Sequence, residues 1–256
     1  MKTVLLFGLL TAFSTRLLAD PSVSPSPAPT HWLLGTGFDY SRGDYGFATD
    51  TEMFSVPLNL GCDRGPWILR VAIPWITIKG PAAITGTGGA ARPTAASESG
   101  LGDILTSATY QFGEALGPVK LDFTGRIKFP TADEARGLGT GRTDFYGQFD
   151  FYRTYGDLTP FASVGYRVLG NSAVYHLHDG VYASGGTHFR VSSATVLTAA
   201  FNWGQRIING GDSSTDLTLA FTHDLDAQWQ LGGYGLKGFT NASPNYGAGL
   251  QINRRF

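Results

Sequence analysis

Val-Lys-Leu-Asp-Phe-Thr-Gly-Arg-Ile-Lys-Phe, residues Val119–Phe129, decides the fold. Val119, Leu121, Phe123, Ile127 and Phe129 fall on alternate positions, with Gly125 among them. Lys120, Asp122, Thr124, Arg126 and Lys128 fill the positions between. Successive side chains of a strand point to opposite faces, so this strand is apolar on one side and ionic on the other. Its length matches the ~9–11 residues that a tilted strand needs to cross a bilayer.

The pattern spreads in both directions. In the next segment Phe145, Gly147, Phe149 and Phe151 oppose Asp144, Tyr146, Gln148, Asp150 and Tyr152. In the last, Tyr246, Ala248, Leu250, Ile252 and Phe256 oppose Gly247, Gly249, Gln251, Asn253 and Arg255. Arg254 breaks that apolar face, but near a strand end it can snorkel to the membrane interface. About twelve such segments follow from the alternation: 32–42, 51–62, 67–78, 101–112, 119–129, 143–153, 159–169, 181–191, 195–207, 216–224, 229–238 and 245–256.

The connections alternate between short (63–66, 113–118, 154–158, 192–194, 225–228) and long (43–50, 79–100, 130–142, 170–180, 208–215, 239–244). Antiparallel strands put every second connection on the same side, so the short turns share one rim and the long loops the other. That is the outer-membrane arrangement, and it predicts an all-β, up-and-down transmembrane barrel with both ends at the periplasmic rim. Closure is required because an unpaired backbone group in hydrocarbon costs several kcal/mol. Trp67, Trp75, Tyr110, Tyr246 and Phe256 are expected at the rims as aromatic girdles.

Composition agrees. Of 256 residues 35 are glycine, 13% are aromatic and only 15% are charged. A net charge of -1 supplies no basic field for a nucleic acid. Residues 1–19 read as a secretory signal: Lys2 opens it, an apolar run from Val4 to Phe13 follows, and Ala19 is the expected cleavage point, with Ser14 the alternative. Residues 20–30 form a proline-rich periplasmic lead-in, and 31–256 the barrel. Cys62 is the only cysteine, so no disulfide forms within the chain; it reads as a small residue at a strand end.

Three stretches resemble the outer-membrane family named for the MetA pathway of phenol degradation, whose members are labelled transporters. They are Ser41-Arg42-Gly43-Asp44-Tyr45-Gly46, Ser99-Gly100-Leu101-Gly102-Asp103-Ile104, and Lys128-Phe129-Pro130-Thr131 with Gly137-Leu138-Gly139-Thr140-Gly141-Arg142-Thr143-Asp144-Phe145. Pro74-Trp75 stands where that family is expected to carry Pro-Tyr. The resemblance implies a barrel that passes small molecules, aromatic compounds among them. It implies no catalytic residue, and it gives the motif glycines and aspartates structural work.

The candidate lumen residues are Arg70, Asp103, Lys120, Asp122, Arg126, Lys128, Asp144, Asp150, Arg167 and Arg190, with Asp39, His188, Arg206, Asp224 and Arg255 beside them. Two readings stay open at this point: a selective, mixed-charge channel, or a barrel filled by ion pairs. The glycine runs 86–89 and 137–141 read as outer-loop turns, not phosphate cradles, because neither opens a helix. His176, His178 and Asp179 could meet one metal, but a solvated loop is the plainer reading. His31, His188 and His223 sit beside no nucleophile motif, so neither an enzyme nor a cofactor is expected. The expected partners are outer-membrane lipid, a small-molecule solute, and the barrel-assembly machinery through the terminal Phe256. Residues 79–100, the longest loop, are expected to fold over or into the mouth as a gate.

Overall fold

The computed structural model describes residues 29–84, 89–91, 96–171 and 176–256. The signal reading, nearly all of the lead-in, and Gly86, Thr87 and Gly88 lie outside them.

Alternation produces twelve strands that close on themselves. They are β1 (Thr30–Gly43), β2 (Thr51–Arg64), β3 (Trp67–Lys79) and β4, which runs as Glu98–Leu101 and then Ile104–Leu116. After them come β5 (Val119–Phe129), β6 (Asp144–Tyr152), β7 (Leu158–Val168) and β8 (Gly180–Arg190). The last four are β9 (Thr195–Gly204), β10 (Ser214–Asp224), β11 (Trp229–Gly238) and β12 (Tyr246–Arg255). Each strand pairs antiparallel with the next, and β12 pairs with β1 from Leu33↔Arg255 to Arg42↔Tyr246. The first and last strands are clasped by backbone bonds, Trp32 N to Phe256 O at 3.2 Å and Phe256 N to Trp32 O at 2.9 Å. Twelve strands thus close into one ring of paired backbones, which is what hydrocarbon demands.

β4 is the one strand whose alternation is interrupted. Ala72 faces Leu105, yet Trp75 faces Leu101, so one extra residue is accommodated around Gly102 and Asp103. Gly102 N donates to Pro74 O at 2.8 Å across this bulge. A bulge re-aims the side chain beside it, and here that side chain is Asp103.

Side chains sort by parity. β7 alternates exposed and buried along its whole length. Phe54, Leu58, Phe149, Val164, Leu219 and Leu250 stand exposed on the outside, where lipid would cover them, while Ser41, Ser55, Asn59, Thr218 and Asn253 are buried within. The expected girdle aromatics lie on the outer face. Trp67 packs edge-on against Tyr110 at 4.9 Å, and Trp75, Tyr246 and Phe256 are exposed. The Arg254 guanidinium lies over the Trp229 and Phe256 rings at 5.4 and 4.8 Å. That is how a cation is carried on an apolar face close to its rim. Cys62 is free and faces Trp32 and Leu69, both on the outer face.

The barrel lumen as candidate functional site

The register stacks inward side chains into rows that run from strand to strand. One row reads Gly61, Arg70, Ser107, Arg126, Tyr146, Arg167, Gly180 across β2 to β8. Three arginines thus stand on alternate strands, with Cα atoms roughly 10 Å apart at the usual strand spacing. A second row reads Gln111, Asp122, Asp150, Ser163, Ser184, Asn202, Asp216 across β4 to β10. On β5 the two rows are four residues apart, from Arg126 to Asp122, or about 13 Å. Thr109, Thr124 and Gln148 separate them.

Neutral donors meet the acidic row. Asp122 accepts from Gln111 Nε2 at 3.3 Å and from Tyr152 Oη at 3.4 Å. Asp150 accepts from Ser163 Oγ at 2.6 Å and from Gln148. Asp216 accepts from Asn202 Nδ2 at 2.7 Å. Such bonds hold a buried carboxylate in place without neutralising it.

At the outer end of β5 the arrangement is a salt-bridged knot. Lys128 Nζ lies 2.8 Å from Asp144 Oδ2, 3.2 Å from Asp103 Oδ2 and 2.6 Å from Thr140 Oγ1. Thr140 belongs to the 130–142 loop, which the knot draws inward. Asp103 Oδ1 accepts from Ala132 N at 3.0 Å. Thr131 Oγ1 donates to Gly102 O at 2.8 Å and accepts from Ile104 N at 2.9 Å, so it clips the loop to the β4 bulge. Arg136 Nε reaches Glu98 at 2.8 Å. Gly139 must be glycine for this approach: a Cβ there would sit 2.9 Å from both Asp103 carboxylate oxygens. Ala132 and Leu138 then pack on Met53, Ile76 and Ile78, the inward side chains of β2 and β3. In a second cluster, Leu177 and Ile207 from two other loops pack with Leu169 against Tyr146 and Ile208. Three loops therefore turn apolar side chains inward at this end of the barrel.

Of these loops, 130–142 is the one tied to the Lys128 knot. Of the longer 79–100 loop, Ala82 is buried, and its N–H donates to Thr51 Oγ1 at 2.9 Å. Residues 85–88 and 92–95 of that loop, and with them the expected gate, fall outside the described residues.

The remaining candidates are spread out. Arg70 pairs with Asp63 at 2.6 Å, by the β2–β3 turn. Arg167 is 2% exposed and donates from Nη2 to the Gln205 carbonyl. Lys120 stands opposite Tyr152 near the short-turn rim, and Arg190 ends β8 with its N–H on Asp157 O at 2.8 Å. Asp39 accepts from Tyr234 Oη at 2.9 Å on the far wall, and Asp224 pairs with Arg255 at 3.3 Å. Arg206 departs from its expected place: β9 ends at Gly204, and Arg206 is exposed in the loop beyond it. His188 bonds Thr198 at 2.8 Å and stacks on Phe161, and His223 bonds Thr195 at 2.8 Å. Asp179 accepts from Leu169 N at 2.9 Å and His178 bonds Asn209 at 2.8 Å. Among the described residues no group of three or more metal-ligating side chains assembles.

Sequence reading passed over Thr140 and Tyr182. The glycines at 137, 139 and 141 were the available signal for the first, since a close approach needs them. Tyr182 carried no signal: its ring lies over Gly165, against whose backbone it fits only because no Cβ is there.

No family model matches this chain, and no curated protein matches it. Solved structures do. The COG4313 outer membrane channel from Pseudomonas putida F1 aligns over 93% of this chain and 100% of its own, with 15% identity and a TM-score of 0.66. The KdgM porin aligns over 87% and 99%, with 7% identity and a TM-score of 0.51. The β domain of the Bordetella autotransporter BrkA aligns over 90% and 100%, with 14% identity and a TM-score of 0.51. A channel, a porin and an autotransporter domain share the shape, so the likeness carries the architecture alone. The chain has the closed antiparallel barrel fold of bacterial outer-membrane proteins.

Proposed function

We propose that the protein is an outer-membrane channel through which small solutes pass by diffusion, without a cofactor or an energy source. The observation that carries this reading is the split between an apolar outer surface and a lumen whose wall carries a cationic row and an acidic row side by side. A barrel that only tethered or displayed loops would have no use for rows of charge held by neutral donors. The 130–142 loop, tied at Lys128, is then the constriction that a solute meets first. The motifs at 41–46, 99–104 and 128–145 support passage of small molecules, aromatic compounds among them. Lipid contacts the outer face in this reading, and Phe256 presents the chain to the assembly machinery.

The inward-packed loops favour a second reading, a barrel plugged at its mouth. Conductance of the refolded protein in a planar bilayer separates the two. Discrete steps in plain potassium chloride are expected. A heat-modifiable, inserted barrel that gives no steps, and whose liposomes admit no uncharged solute, would sink the channel.

A further inference from the structure

We propose that Arg126 is the lumenal binding point for a small carboxylate. This rests on the channel reading for its purpose, but its chemistry stands on the geometry of one row.

The cations beside it, on its own row and at the far end of its strand, are already engaged. Lys128 is held by Asp103, Asp144 and Thr140, and Arg70 by Asp63. Arg167 is buried, with Nη2 on the Gln205 carbonyl. Arg126 is half-buried and makes no hydrogen bond or ion pair among the described residues. A planar guanidinium with its donors unused takes a carboxylate by two parallel bonds.

Its surroundings fix the size and charge of that ligand. Tyr146 stands directly opposite Arg126, packs with Leu169, Leu177 and Ile207 and donates from its hydroxyl to Asp144 at 3.4 Å, which holds its ring still and leaves an aromatic and aliphatic surround for a small carbon body. Asp122, about 13 Å away along the backbone of the same strand, and Asp150 beside it on the next strand are held by neutral donors; Asp150 already feels the guanidinium's charge, and the two would repel a second negative charge. One guanidinium without a hydrogen-bonded partner, between a tyrosine ring and an acidic row, suits a single carboxylate better than a phosphate.

The test is calorimetric titration of the refolded protein in detergent with benzoate, and with benzamide as its uncharged counterpart. Benzoate is expected to bind at least tenfold more tightly than benzamide. Arg126→Gln should weaken benzoate at least tenfold and erase the difference between the two, while Arg126→Lys should keep part of it. Heat modifiability checks that each variant has folded. Equal binding of the two ligands, unaltered benzoate binding in Arg126→Gln, or no benzoate binding at all would overturn the proposal. Conductance is read separately: steps without binding overturn this site and leave the channel standing, and binding without steps does the reverse.

Discussion

Replacing Lys128 with methionine is expected to raise single-channel conductance severalfold. Methionine keeps much of the volume and removes the charge that joins three parts of the mouth. The ammonium now touches Asp144 from β6, Asp103 from the β4 bulge and Thr140 from the loop, with its side chain only 13% exposed. Without it Asp103 and Asp144 confront each other across a partly buried gap, and removing one partner of such a pair costs about 3–5 kcal/mol. The cheapest relief is local. The loop can leave, water can reach the carboxylates, and the barrel wall is untouched. What then holds the loop is the packing of Ala132 and Leu138 on Met53, Ile76 and Ile78, together with Thr131 and Arg136. Lys128→Arg should keep conductance near its original value, because the charge remains. Asp144→Asn should give a smaller rise, since one carboxylate still faces the lysine. Unchanged conductance in Lys128→Met would mean that the loop does not limit the pore.

The strands were legible because one period governs them. Val119–Phe129 begins and ends in the structure where its alternation does. β4 was less so: alternation suggested 101–112, and the strand runs as Glu98–Leu101 and Ile104–Leu116. A bulge adds one residue and flips parity, and no local residue pattern announces it when glycine and aspartate are read as turn formers. The inward charges were legible for the same reason as the strands, but their partners were not. Lys128 meets Asp103 across a strand pair and a bulge, and Asp144 across a loop. Only register shows that two separate motifs converge on one ammonium. The choice of inward loop was also beyond alternation. Length pointed to residues 79–100, whose expected gate lies outside the described residues, while burial of Ala132 and Leu138 shows that 130–142 also folds inward. Loop length measures reach, whereas inward folding needs apolar side chains, a glycine where the backbone comes close, and an anchored polar group.

Parity itself can be put to the test with arginine. Val164 lies at the middle of β7 on the outer face, 45% exposed in the bare protein. Val164→Arg is expected to lower unfolding stability in lipid vesicles by about 2–4 kcal/mol, the cost of a guanidinium on the lipid face near the bilayer midplane. Nothing on that face can meet the charge, since its cross-strand neighbours are Phe149 and Ala183. The counterpart is Gln111→Arg on the inner face of β4. Gln111 already donates to Asp122 at 3.3 Å, so an arginine there gains a carboxylate and stays in a polar lumen. Its expected cost is well below that of Val164→Arg, because the new charge has a carboxylate to meet. Denaturant titration of the two variants in the same vesicles reads the difference directly. Equal costs would mean that the two positions share an environment, and the division between a lipid face and a lumen would fail at β7 or β4. A large cost for Val164→Arg beside a small one for Gln111→Arg requires hydrocarbon on one side of the sheet and a polar lumen on the other, which no soluble arrangement of the same strands supplies.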